Sequence, residues 1–194
     1  MYFQNANRKR FNHDVGIDGP LTLDQNEIFN TLAFYLMDHF NISNNLAFVS
    51  ELRFDHNVIQ LEDNFKINDD TSFENSLNSF NYSFGMSYLK LKNFNPFIRV
   101  ASSFENPTLN ELLSNPDGSG FNDVLLPSRS TNFEIGIKGE WKTQLIFEAN
   151  VFHITTRNEV LPFEVEAFPE RDFFRNAGQT QRTGLECSAT YNDN

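Results

Sequence analysis

Residues able to do chemistry are most concentrated in "NPDGSGFND", where Asn115, Asp117, Asn122 and Asp123 offer oxygen ligands within nine positions. A calcium loop needs oxygen donors at alternate positions, then a glycine and a distal glutamate, and this segment does not keep that spacing. The "GSG" inside it fails the dinucleotide fingerprint, because Asp123 stands at the third glycine position and no strand–helix–strand unit surrounds it. Turn chemistry at Pro116-Asp117-Gly118 accounts for the composition without a ligand. The four histidines, His13, His39, His56 and His153, share no metal-ligand spacing. Cys187 is the only cysteine, and in "GLECSAT" it occupies the place of an apolar strand residue. No serine sits in a nucleophile elbow. Glu134 and Glu148 could oppose each other on neighbouring strands as an acid/base pair, but a structural network of charges of both signs is the reading preferred. No metal, cofactor or covalent chemistry is therefore expected.

The bulk composition bounds the elements that position these residues. Phe alone accounts for 22 of the 194 residues, and aromatics make up 14% of the chain. Mean hydropathy is nevertheless −0.46, so the rings must be spaced out along the chain. No stretch reaches the ~18 uninterrupted apolar residues of a spanning helix, whereas the alternating strands of a membrane barrel leave no hydropathy peak. A formal net charge of −11 argues against a nucleic-acid partner. The opening "MYFQNANRKRFNH" lacks the apolar core and cleavage site of a signal peptide. It reads as a cytoplasmic start or as the middle of something longer.

Period-two alternation dominates the rest. Phe80, Tyr82, Phe84, Met86 and Tyr88 alternate with Asn81, Ser83, Gly85 and Ser87. Similar patterns run through "IFNTLAFYLMDHF", "LAFVSELRFDH", "PFIRVASSF", "NFEIGIKGEW", "QLIFEANVFHITTR" and "RTGLECSATY", which makes about seven long strands. Short turns alternate with long polar connections over 57–75, 106–129 and 158–171. A helical turn is expected in "ENPTLNELL". Long loops are uncommon in compact soluble domains, and short–long alternation is the habit of an outer-membrane barrel, with tight periplasmic turns and long external loops. The fold class is all-β, an antiparallel transmembrane β-barrel segment. Glu51, Arg53, Glu134, Lys138, Glu148 and Glu186 would face its lumen as a charged network. Alternation alone also fits a small soluble barrel with that face in water.

Longer strings carry a family resemblance. "LRFDH", "ASSFENPTLNELLSNPDGSGFN", "LLPSRSTNFEIGIKGEW", "EANVFHITTRNEVLPFEV" and "FFRNAGQTQRTGLECSATY" follow one another in order. From Gly16 onward the chain resembles the barrel of TonB-dependent outer-membrane receptors, of the iron(III)-dicitrate siderophore type. The resemblance implies residence in the bacterial outer membrane in contact with its lipid. It implies capture of a ferric chelate, ferric citrate or a siderophore-like ligand, by the external loops. Uptake would be energised by the TonB complex through an N-terminal plug. No segment matching a plug domain or TonB box lies in this sequence, so residues 1–194 are expected to be part of a receptor barrel. Arginine suits an anionic chelate because its planar fork pairs with carboxylates, and Arg99, Arg129, Arg157 and Arg175, read as lying near strand–loop junctions, are the candidate ligand-binding residues. Two alternatives stand beside this reading. One is a complete eight-stranded outer-membrane barrel with a structural or adhesive role, its extra strand within Arg8 to Leu23. The other is a soluble β-barrel or sandwich enzyme using paired carboxylates.

Overall fold

The computed structural model describes residues 1–65, 72–89, 93–115, 121–142 and 144–192; Asp117 and the Pro116–Gly118 turn lie outside them. Ten strands follow in order: β1 (Tyr2–Asp14), β2 (Ile17–Ser43), β3 (Leu46–Asp63), β4 (Phe73–Tyr88), β5 (Phe94–Glu105), β6 (Ser128–Trp141), β7 (Leu145–Arg157), β8 (Val160–Val165), β9 (Phe168–Asn176) and β10 (Gln179–Tyr191). Among the described residues one short helix, α1 (Leu109–Leu112), follows β5. Eight strands form one antiparallel sheet in the order β1-β2-β3-β4-β5-β6-β7-β10, and β8 and β9 form a separate hairpin. β1 and β10 are the two ends of that sheet order.

The alternation of phenylalanine with small polar residues dictates this arrangement, since opposite faces of a strand must meet opposite solvents. One face carries Phe34 and Leu36 of β2, Phe54 of β3, Phe80 of β4, Ile98 of β5, Phe133, Ile135 and Ile137 of β6, Val151 of β7 and Leu185 of β10. All of these are exposed, Phe34 at 64% and Leu185 at 68%. An apolar face of that extent is stable only against lipid. Phe40, Tyr88, Phe94, Trp141 and Tyr191 gather at the end bearing the short turns, as an aromatic girdle does at a membrane interface. The other face carries the polar series and, at the opposite end, the small core. There Ile59 and Leu61 of β3 pack with Leu109 and Leu112 of α1 and with Leu125.

The structure extends the sequence reading in three places. The sheet has eight strands where about seven were counted, because β1 and the first third of β2 form a projecting hairpin closed at Val15-Gly16. Both residues have positive φ, 49° and 83°, as a two-residue hairpin turn of matching twist demands. The polar run "NANRKR" hid this strand, which depends on backbone pairing with β2 and not on an apolar face. The connection expected over 57–75 is mostly strand, since β3 continues to Asp63 and β4 begins at Phe73. The segment expected as a loop over 158–171 instead enters the β8–β9 hairpin, which register pairs Val160 with Asn176 and Phe163 with Phe173.

Candidate functional site at the external mouth

The end of the sheet bearing the long connections is built around α1. Thr108 caps the helix: its side chain accepts from the Glu111 amide at 3.4 Å, while the Glu111 carboxylate accepts from the Thr108 amide at 2.6 Å. Two otherwise orphaned amides are thereby satisfied. The cap fixes the entry direction so that Leu109 and Leu112 fall on the inner face of β3. The chain then turns back, and the Asn122 amide donates to the Leu112 carbonyl at 2.7 Å.

Residues 121–127 are tied to the β8–β9 hairpin by two asparagines. The Asn122 side-chain amide donates to the Phe174 carbonyl at 3.2 Å. Asn176 donates to the carbonyls of Leu126 and Asn158 at 2.8 and 2.7 Å, and its own carbonyl accepts from the Leu126 amide at 2.8 Å. At the base of the hairpin, Glu159 accepts from Thr180 at 2.6 Å and ion-pairs with Arg182 of β10. The Thr180 hydroxyl and then the Arg182 guanidinium hold the Glu159 carboxyl below the usual range.

Between these segments lies a cleft of about 180 Å³ lined by Asn115, Phe121, Asn122, Val124, Phe163 and Arg175. The Arg175 guanidinium stands 5.1 Å from the centroid of the Phe163 ring. Arg171 stands 5.0 Å from the Phe173 ring and 6.0 Å from that of Phe168, and Phe173 is completely buried. Stacking on aromatic faces orients guanidinium groups while leaving their N–H forks available. Phe163, Phe168 and Arg171 were missed as site residues because 158–171 was read as a loop, and Phe173 fell outside every strand assigned. Alternation across "LPFEV" was the available signal.

The four arginines singled out from the sequence are not brought together. Arg99 stands in the middle of β5 on the inner face, not at a strand–loop junction, and donates to the Ser83 hydroxyl at 3.1 Å. Arg129 of β6 and Arg157 of β7 are directly opposed near the external strand ends, on the face that carries Phe133 and Val151. Arg175 alone lines the cleft between loop and hairpin.

Glu51, Arg53, Glu134, Lys138, Glu148 and Glu186 all register on the inner face. Among them only Lys138 and Glu148 form an ion pair, at 3.1 Å across β6 and β7. Arg53 instead pairs with Asp55 at 2.6 Å on its own strand. Of the six, Arg53, Lys138 and Glu148 are ion-paired locally, and no salt bridge joins Glu51, Glu134 or Glu186 to a described residue. Glu134 and Glu148 do not face each other: Glu134 opposes Phe152, and Glu148 opposes Lys138. Four positions of offset along the strands, ~13 Å, leave no acid/base dyad. Asn122, considered as a metal ligand, is engaged in the loop contacts above. Among the described residues no group of three or more His, Cys, Asp or Glu could hold a metal ion. His153 is hydrogen bonded to Thr183 at 2.8 Å and His56 to Asn78 at 2.7 Å, both on the outward face.

Residues 2–192 match the family model described as "TonB dependent receptor-like, beta-barrel". The chain belongs to the TonB-dependent receptor β-barrel family. It is thus an outer-membrane barrel segment, and its family is one of receptors. Solved structures of the same fold include the copper transporter OprC, at TM-score 0.72 and 12% identity, where the match covers 96% of this chain and 29% of OprC. The ferric citrate transporter FecA in its unliganded form aligns at TM-score 0.66 and 21% identity, over 89% of this chain and 24% of FecA. The alcaligin outer-membrane receptor FauA from Bordetella pertussis aligns at TM-score 0.62 and 16% identity, over 87% and 28%. The chain thus spans less than a third of the length of the receptors it resembles. The TonB-dependent barrel identity also accounts for the two faces, apolar on one side for lipid and polar on the other.

Proposed function

We propose that this chain forms part of the barrel of a receptor that captures an anionic ferric chelate at its external mouth. Import would be energised by the TonB complex acting through a plug domain seated in the lumen. The observation that carries this reading is the cleft in which Arg175, stacked on Phe163, meets the amide-rich loop around Asn122. A guanidinium held on an aromatic face can present its fork to a chelate's carboxylates, and neighbouring amides can complete the recognition. Arg99 is the candidate for a second contact deeper in the lumen, beside Ser83. The polar inner face, with its Lys138–Glu148 and Arg53–Asp55 pairs, suits a polar plug surface better than a hydrocarbon.

Binding of ferric citrate to the receptor chain in neutral detergent, followed by titration, tests this reading. Arg175→Ala removes charge-assisted hydrogen bonds each worth roughly 1.5–3 kcal/mol, so affinity is expected to fall about tenfold or more. Arg99→Ala is expected to weaken binding less. Unchanged affinity in Arg175→Ala, with the fold retained, would remove the cleft from the ligand site.

A further inference from the structure

On the outward face of the sheet, β4 and β5 pair only between Ser83–Ser87 and Phe97–Ala101 and then diverge toward the external end. The divergence opens a cavity of about 600 Å³ whose lining includes Phe80, Tyr82, Phe104, Arg129, Thr131 and Arg157. By register these six side chains belong to the outward face. Arg129 reaches over the gap and donates to the Asn78 carbonyl of β4 at 3.4 Å. It stands directly opposite Arg157 on the same face. Like charges so opposed are destabilising, and among the described residues neither arginine ion-pairs with a carboxylate. In a chain of net charge −11, two adjacent guanidinium groups without an acidic partner call for an external anion.

Their height in the membrane narrows the choice. On β6 the outward side chains from Trp141 through Ile137, Ile135 and Phe133 lie in the apolar band. At ~3.3 Å per residue and a tilt of ~40°, a band about 25 Å tall takes roughly ten residues, from Trp141 to Thr131. Arg129 then stands ~5 Å above the hydrocarbon, at headgroup level. In the cavity the Phe104 ring is opposite Arg129 in register, and the Tyr82 ring lies one outward step nearer the apolar band.

We propose that this outward cleft binds a net-anionic phospholipid of the outer leaflet, with the phosphate between Arg129 and Arg157 and the start of an acyl chain passing Phe104 and Phe80 toward Tyr82 and the apolar band. Paired planar guanidinium groups suit a phosphate's oxygens, and the adjoining apolar surface selects an amphiphile over a free anion. The site faces away from the lumen and is independent of the ligand cleft.

The test is native mass spectrometry of the receptor chain in neutral micelles doped with phosphatidylglycerol or with phosphatidylcholine, with inorganic phosphate as the free-anion arm. The expected result is retention of phosphatidylglycerol over phosphatidylcholine. Retention should fall at least about tenfold in the Arg129→Gln/Arg157→Gln pair, remain largely in the Arg129→Lys/Arg157→Lys pair, and be unchanged in Arg10→Glu on the projecting hairpin. Heat-modifiable gel migration identifies the folded variants, and the lysine pair provides the comparison should the glutamine pair fail to fold. Equal retention of the two lipids by the unaltered chain overturns the proposal, as does retention that the glutamine pair leaves intact. If the glutamine pair does not fold, equal retention of the two lipids by the lysine pair overturns it too. Displacement of the lipid by millimolar inorganic phosphate would show a free-anion site and overturn it equally.

Discussion

Truncating Leu112 to alanine perturbs the external mouth without touching a charge. Leu112 is 1% exposed, and it packs with Ile59 and Leu61, 4% and 1% exposed, from β3. Leucine-to-alanine changes in such surroundings cost about 2–5 kcal/mol, because the lost transfer energy is joined by the cavity left behind. The loss falls on the docking of α1 onto β3 and not on the sheet, whose ladder continues on both sides of Leu52. A cost of about 3 kcal/mol shifts a docked–undocked equilibrium by about two orders of magnitude. The Asn122 amide reports the docked state, since it donates to the Leu112 carbonyl at 2.7 Å. Hydrogen exchange in detergent should therefore accelerate at Asn122 by up to about a hundredfold, limited by the docking free energy itself. Exchange at Leu52 should stay within about threefold of its original rate. The reasoning fails if Asn122 changes by less than about threefold, or if Leu52 accelerates alongside it. The second outcome would mean that loop and sheet open as one unit.

Two further outcomes follow from local geometry. Because Thr180 and Arg182 depress the Glu159 carboxyl, its contribution is complete above the ordinary glutamate value of about 4.5 and declines as pH falls through the lower folded value. Amide protection around Gln179–Arg182 should therefore weaken as the pH is lowered from 6 to 3, and Glu159→Gln should flatten that dependence. Gly136→Val should impair assembly of the sheet, because a Cβ there would meet the Ala149 carbonyl at 2.6 Å and the Phe97 ring at 2.7 Å. A backbone oxygen cannot move aside as a ring can, so a cost of about 1–3 kcal/mol or more is expected. Reduced heat-modifiable migration of the variant would show it, and wild-type migration and stability would refute the crowding.

The long membrane strands were legible in the sequence because lipid on one side and polar lumen on the other force a strict period of two. Phe80 to Tyr88 and Phe133 to Ile137 carry that pattern without help from distant residues. Glu51, Arg53, Glu134, Lys138, Glu148 and Glu186 could be assigned to one face for the same reason. Which charges pair could not, since pairing depends on register, and register places Glu148 against Lys138 and Glu134 against Phe152. β1 was hidden because a projecting hairpin needs only backbone partners and a turn with positive φ at Val15 and Gly16. Arg99, Arg129, Arg157 and Arg175 look equivalent as isolated cations in a sequence. The sheet separates them, setting Arg99 on the polar face, Arg129 and Arg157 on the apolar face, and Arg175 in a cleft made by two segments about fifty residues apart. Alternation is a local property of a strand, so the chain specifies it alone; the meeting of side chains from different strands and loops exists only once the sheet has closed the distance between them.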